Sequence, residues 1–317
     1  MLLDAVAYNS FYFDWEIALE EWIQAAFSTT FLSALSNLSM FGEEMLLIIV
    51  MGFLYWGYDK EFGKYIGLNL LMANVLNPLI KNVFIRRRPY FESDRIDLLR
   101  LINKNADKYD IAAQGYSFPS GHSSASATVY GSPARYGKKK VLTVLAFVLP
   151  LLTGISRVVV GAHYPTDVIC GWALGVFVIF FFPWLYTKFE NPMILYLILL
   201  VVTLPGFFYC TSTDYYSGYG MLLGYCLAEP FERKFIRFEN TKSIPRCILR
   251  VVGGGAIFFG LNTILKLPFS SDFLDAQTFG AHAVRCGRYA IVIFVVIGLY
   301  PALFKLTAQK NPGDTET

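Results

Sequence analysis

Along most of the chain, apolar residues come in runs of roughly 17–25, the length that crosses a bilayer as a helix, and polar residues are confined to short islands between them. The runs predict spans at about 43–58, 63–85, a short one from Pro119, then 140–158, 165–187, 191–210, 215–231, 245–266 and 285–306. This implies an all-α fold: a polytopic transmembrane helical bundle of about nine spans. Residues 1–41 follow another pattern. They hold no Lys or Arg, and Asp14, Glu16, Glu20 and Glu21 are interspersed with Trp15, Ile17, Leu19 and Trp22. That predicts an N-terminal amphipathic segment lying at the membrane interface. The second reading of this region is a span over 22–40, which its Ser and Thr suit poorly. The chain thus divides into an interfacial segment (1–41), a helical core that holds the polar islands (42–187), and additional C-terminal transmembrane helices with a short tail (188–317). The tail is polar from Thr307 and is expected to fray.

Composition supports this picture. Hydrophobic residues make up 55% of the chain and charged residues only 16%, against about 25% charged in soluble domains. The net charge of +3 is too small to suggest a nucleic-acid partner. Cys170, Cys210, Cys226, Cys247 and Cys286 lack CxxC spacing, fall in or near apolar runs, and read as small buried hydrophobes. The N-terminus has no basic stretch of the kind that opens a cleavable signal peptide, so none is expected.

Three islands carry the chemistry. The first runs from Lys81 through Arg86, Arg87 and Arg88 to Pro89. The second is Pro119-Ser120-Gly121-His122. The third is Ser156-Arg157, followed by His163 and Asp167. With nine spans, all three fall on one face: the end of the second span, the start of the third, and the turn between the fourth and fifth. Lys81, Arg88 and Arg157 match the near-double negative charge of a phosphomonoester, and Arg grips two oxygens at once. Arg157 follows a full apolar span, where an ionisable side chain is a functional candidate by default. Arg86 and Arg87 read instead as span-end cations that snorkel to the headgroups.

Asp167, four residues after His163, is within reach if the turn leads into a helix. A carboxylate on one ring nitrogen fixes the tautomer and leaves the other nitrogen free to attack phosphorus. The alternative is a structural pair capping a helix start. His122 is the candidate general acid for the leaving alkoxide and then the base that activates water. A helix starting at Pro119 would leave the backbone N–H groups of Ser120 and Gly121 open to an anion. Two His and one Asp could also ligate zinc, but three cations beside them would repel a divalent ion, so no metal and no cofactor is expected. The polar loop over 90–117 has nearly balanced charges and reads as a solvated cap. His282 has no motif partner and reads as structural.

Lys-x6-Arg-Pro, Pro-Ser-Gly-His and Ser-Arg-x5-His-x3-Asp resemble the three-part signature of the type 2 phosphatidic acid phosphatase (PAP2) superfamily, in its integral-membrane branch. Every signature position is filled: Lys81, Arg88, Pro89, Pro119, Ser120, Gly121, His122, Ser156, Arg157, His163 and Asp167. The resemblance implies a metal-independent phosphatase with a phosphohistidine intermediate at His163, His122 as acid and base, and Asp167 supporting His163. It implies that Lys81, Arg88, Ser120, Gly121 and Arg157 bind phosphate. The expected substrate is a phosphomonoester or diphosphate of a lipid: a lipid phosphate, a sphingoid-base phosphate or a polyprenyl pyrophosphate. The alternatives are a lipid phosphotransferase, a sugar-phosphate phosphatase, and a non-catalytic lipid-binding or transport protein. The last typically lacks signature residues, and none is missing here. Many membrane members have six spans; nine, with the N-terminus outside, look more like the glucose-6-phosphatase and sphingosine-phosphate phosphatase branch. Just over half of the 27 Lys and Arg lie on the face opposite the islands, which places the active site on the extracytoplasmic face and the C-terminus inside. The expected partners are a phosphorylated lipid substrate and the membrane bilayer, with no nucleic acid and no particular oligomeric state.

Overall fold

The computed structural model describes residues 8–101, 106–241 and 243–307. Lys104, Lys242 and Lys310, and the polar tail beyond Thr307, lie outside the described residues. The chain forms helices α1 (Asp14–Ala26), α2 (Thr29–Ser36), α3 (Glu44–Phe53), α4 (Lys60–Phe84), α5 (Ile111–Gln114), α6 (Gly121–Gly137) and α7 (Lys140–Val159). These are followed by α8 (Pro165–Tyr186), α9 (Pro192–Thr203), α10 (Thr213–Phe231), α11 (Ile244–Ile264), α12 (Ser271–Asp275) and α13 (Phe279–Ile293). Among the described residues no β-strand forms; the one extended pairing is an isolated bridge between Asn9 and Arg86.

Among the described residues, four helical runs are long and apolar enough to cross a membrane: α7, α8, α11 and the continuous run Phe279–Phe304. Ile49–Tyr58 and Pro192–Phe208 are apolar but shorter. The other expected spans, at 63–85, from 119 and at 215–231, are helices α4, α6 and α10, yet they fall outside these four. For α4 and α6 the reason lies in where their polar residues point. Asn69 Nδ2 donates to Ser132 Oγ at 3.1 Å and Asn77 Nδ2 to the Pro119 carbonyl at 3.2 Å. On α6, Ser123, Ser124, Ser126, Thr128 and Ser132 are all buried. These helices are polar inward, which lowers their hydropathy without exposing a polar face.

The chain folds as two compact units. The first comprises the described residues within Met1–Leu47 and Tyr65–Tyr215. Here α6 packs against α7 and α8, and its small residues allow the backbones to approach closely. A Cβ on Gly171 of α8 would stand 2.7 Å from the Ser120 carbonyl, and one on Gly175 2.6 Å from Ala127 Cβ. The outer faces of α7 and α8 expose Val144, Phe147, Leu151, Phe177, Phe180 and Trp184. At the N-terminus α1 ends at Ala26 and Phe27 is extended, so 22–40 is not one helix. Helix α1 separates its residues sharply: Trp15 and Trp22 are 51% and 61% exposed, while Glu16 and Glu20 are 0% and 1% exposed. Its aromatics face outward and two of its acids face the unit's interior.

The second unit comprises the described residues within Ile48–Lys64 and Tyr216–Thr317. Its core gathers Tyr55, Trp56, Phe238, Phe258, Val292, Val296 and Phe304. Lys60 and Lys64 pair with the buried carboxylates Glu232 and Glu229. No disulfide joins the five cysteines, all of which lie among the described residues. Cys210, Cys226, Cys247 and Cys286 are buried, as their apolar context predicts, and Cys170 is half-buried.

Candidate active site

All three islands lie in the first unit. Helix α4 ends at Phe84, and Ile85 then adopts φ 45°, a left-handed conformation rare for a β-branched residue. Its carbonyl accepts from Asn9 N–H at 2.8 Å, and Asn9 in turn accepts from Arg87 N–H at 2.9 Å. The reversal sends Arg86 and Arg88 inward, where both are buried.

The Arg88 guanidinium is held by carbonyls. Nε donates to Gly115 at 2.9 Å, Nη1 to Ala162 at 2.8 Å, and Nη2 to Gln114 at 2.8 Å and Tyr116 at 3.2 Å. Lys81 Nζ donates to the same Tyr116 carbonyl at 2.9 Å. Gly115 has φ 69°, open to glycine, and this lets the chain present three successive carbonyls to the cations. The loop expected as a solvated cap is therefore, over 114–116, the wall that fixes two cations of the site. Its Tyr90, Ile96, Gln114, Tyr116 and Ser117 are buried.

His163 follows the turn after α7. Its Nδ1 faces Asp167 Oδ2 at 3.4 Å, and its Nε2 faces Arg88 Nη1 at 3.4 Å. The carboxylate side favours a proton on Nδ1, and the guanidinium side favours a lone pair on Nε2. Burial, then the charges of Arg88 and Lys81, hold the imidazole well below its ordinary pKa. A neutral ring with a free lone pair is the form a nucleophile needs. Asp167 Oδ2 also accepts from Tyr164 N–H at 2.9 Å, so this carboxylate caps α8 and orients His163 at once.

Arg157, the next cation, is 2% exposed, and its Nε has no hydrogen-bond partner among the described residues. A buried guanidinium N–H left unpaired marks a place where an acceptor belongs. The charges of Arg157, Lys81 and Arg88 act on His122, which is half-buried near the start of α6. His122 and His163 are themselves within electrostatic reach of each other. One expectation needs correction. The Ser120 N–H is not open to an anion, because it donates to the Asp167 carbonyl at 3.0 Å, and Ser120 Oγ caps α6 by accepting from Ser123 N–H. Gly121, the first residue of α6, has a backbone N–H to which the helix itself offers no acceptor.

Arg86 is a further correction, because it does not snorkel. Its Nη1 donates to Asp167 Oδ1 at 2.7 Å and to Thr166 Oγ1 at 2.8 Å, its Nη2 to Glu16 Oε2 at 2.8 Å, and its Nε to the Phe11 carbonyl at 2.7 Å. Its guanidinium lies 3.8 Å from the Tyr164 ring centroid and 4.7 Å from that of Phe11. Glu16 Oε1 completes the network by accepting from Thr166 N–H and Oγ. The N-terminal segment is thus built into the support of Asp167. One sequence signal pointed there: residues 1–41 hold several acids and no Lys or Arg, so any buried acid among them must find its cation elsewhere. Glu20 lies beside this network with both carboxylate oxygens buried and without a hydrogen-bond partner among the described residues. Burial, then the charges of Asp167 and Glu16, push its pKa well above the carboxylate range.

Comparisons with known proteins agree with these motifs. Residues 62–191 match the family model described as PAP2 superfamily, and residues 216–311 match that of the PAP2 superfamily phosphatase, transmembrane extension. Together they span more than half of the chain. Among curated proteins, the chain is similar to a phosphatidylglycerophosphatase B of Bacillus subtilis, 31% identical over 42% of this chain and 63% of that protein. It is also similar to an undecaprenyl-diphosphatase of Sulfolobus acidocaldarius, 31% identical over 45% of this chain and 65% of that protein. A lipid A 1-phosphatase of Rhizobium johnstonii is 29% identical over 37% of this chain and 45% of its own length. The chain therefore spans less than two thirds of each of these relatives. No solved structure matches it. The transmembrane-extension match and the four long apolar helical runs make it an integral membrane protein.

Proposed function

Because the chain belongs to the PAP2 superfamily, we propose that it is a membrane phosphatase that hydrolyses a phosphomonoester or diphosphate of a lipid through a phosphohistidine on His163. The observation that carries this reading is the seat of His163 between Asp167 at Nδ1 and Arg88 at Nε2. The names of the three relatives each specify a phosphate on a lipid, which supports the lipid class of the substrate.

The reaction runs in two displacements. The phosphoryl group sits among Lys81, Arg88, Arg157 and the Gly121 N–H, whose positive charge offsets its own. His163 Nε2 attacks phosphorus, the P–O bond to the lipid breaks, and the leaving oxygen takes its proton from His122. The phosphohistidine keeps its proton on Nδ1, where it donates to the Asp167 carboxylate, whose charge stabilises the cationic ring. His122, now neutral, takes a proton from water; the hydroxide oxygen attacks phosphorus, the P–N bond breaks, and phosphate and neutral His163 are released. Ser120 contributes by capping α6 and fixing the Asp167 carbonyl, so its effect on phosphate is indirect.

The same reading takes α4, α6 and α10 as spans alongside the apolar runs, giving about nine. It lays α1 along the interface with Trp15 and Trp22 in the lipid, and it puts the site on the extracytoplasmic face. Support comes from the continuity of these three helices, the outward aromatics of α1, and the Lys and Arg distribution. The function is tested by phosphate release from short-chain lipid phosphates, lipid diphosphates and sugar phosphates. Turnover of the lipid compounds is expected. Release from the sugar phosphates alone would overturn the lipid assignment, and release from none would overturn the phosphatase.

A further inference from the structure

We propose that the second unit holds an anion site of its own, in which Arg288, Arg285 and Lys266 bind a phosphate group, either free or carried on a lipid. The chemistry recognised is the same in both cases: a phosphoryl oxyanion.

Arg288 lies on α13, inside the apolar run Phe279–Phe304, and is 5% exposed. An ionisable residue inside a membrane-spanning helix is costly and needs a partner. Three of the other buried arginines have theirs. Arg86 holds two carboxylates, Arg88 is saturated by carbonyls, and Arg250 donates to the Trp56 and Glu239 carbonyls with Phe304 below it. Arg288 makes one hydrogen bond among the described residues, a 3.3 Å contact from Nε to the neutral amide oxygen of Asn262 on α11. Its two Nη groups, with four N–H donors, have no hydrogen-bond acceptor there, and the guanidinium lies 5.9 Å from the Tyr289 ring centroid. Arg157 shares this condition of a buried guanidinium without a carboxylate, and Arg157 lies in the candidate phosphate site.

The surroundings reinforce the charge. Arg285 stands one helical turn before Arg288 on α13, and Lys266 lies in the turn that closes α11, one turn beyond Asn262. The three cations act on one another, and the carboxylate that reaches this group is Asp275, through Lys266. His282, which lacked a motif partner, stacks on Tyr216 with ring centroids 4.0 Å apart, one turn before Arg285. Three cations close enough to repel one another, one of them with Nη donors that no described residue accepts, are stabilised by a bound anion. The fork of Arg288 fits a tetrahedral oxyanion two oxygens at a time.

The test uses the full-length protein in detergent and isothermal titration with three probes: inorganic phosphate, short-chain phosphatidylglycerol and short-chain phosphatidylcholine. Arg157→Gln is introduced first, to remove phosphate binding at the candidate active site. In that background, phosphate, phosphatidylglycerol or both should still bind, with phosphatidylcholine weaker. Adding Arg288→Gln should weaken that binding about tenfold or more, since a charge-assisted hydrogen bond is lost, and Arg288→Lys should restore part of it. An effect on phosphate alone identifies a free anion; one on phosphatidylglycerol, alone or together with phosphate, identifies a lipid headgroup. If Arg288→Gln compromises folding, Arg285→Gln and Lys266→Gln at more accessible positions carry the same test. The proposal is overturned if the Arg157→Gln protein binds neither anion, or if its binding is unchanged by removal of these cations.

Discussion

Arg86 donates from Nη1 to Oδ1 of Asp167 at 2.7 Å, on the opposite side of the carboxylate from His163. The same guanidinium reaches Glu16 at 2.8 Å, so a cation outside the signature positions balances two buried acids and sets the carboxylate that faces the proposed nucleophile. Arg86→Ala would leave both carboxylates buried without a counter-charge. The expected loss of stability is about 3–5 kcal/mol, the usual cost of removing one partner from a buried pair. Arg86→Lys should fall between, because an ammonium keeps the charge but cannot fork between Glu16 and Asp167. Denaturation of the purified full chain measures both. An Arg86→Ala protein within about 1 kcal/mol of wild type would refute the network's structural role.

Glu20 gives a pH signature with a definite sign. Its folded pKa is raised well above the ordinary 4.5, so above pH 4.5 the unfolded chain loses a proton that the folded chain retains. Stability should therefore fall as pH rises from the unfolded value toward the folded one, by up to about 1.4 kcal/mol per pH unit. Glu20→Gln cannot titrate and should lack this contribution. The difference in melting temperature between wild type and Glu20→Gln, followed from pH 4 upward, should change steadily in favour of the variant. A difference that stays flat with pH would show that Glu20 is ionised in the folded protein.

The candidate constellation was legible in the sequence because the proposed chemistry needs fixed residue types at fixed spacing. Lys81, Arg88, His122, Arg157, His163 and Asp167 come together in one unit as the islands suggested. What supports them was less legible, for physical reasons. The acceptors for Arg88 and Lys81 are backbone carbonyls of Gln114, Gly115 and Tyr116, and any residue type supplies a carbonyl. Arg86 and Glu16 lie 70 residues apart, so no local pattern links them. The spans divide in a similar way. Hydropathy finds α7, α8 and α11, which present apolar faces outward. It leaves out α4 and α6, whose Asn and Ser residues bond to each other inside the unit.

Topology is open to direct measurement. A single cysteine placed in the 90–117 loop of a cysteine-free protein should react with an impermeant thiol reagent applied to intact cells. One placed at 233–241 should react only after permeabilisation. The reverse pattern would place the site on the cytoplasmic face, and labelling of both from outside would contradict the span count. Trp15 and Trp22 offer an independent check on α1. Their fluorescence, isolated by replacing the remaining tryptophans, should be quenched by brominated lipids if this helix lies in the interface, and should be insensitive to them if it does not.

The central claim is that phosphate passes through a covalent bond to His163 Nε2. The most direct test mixes the enzyme with a phosphate-labelled short-chain lipid substrate, stops the reaction in alkali within a single turnover, and locates the label by mass spectrometry. The expected result is an acid-labile, alkali-stable phosphoryl group on His163, absent in His163→Ala, which should also lose several orders of magnitude in turnover while remaining folded. Label on another residue, or His163→Ala activity within about tenfold of wild type, would contradict a phosphohistidine at this position.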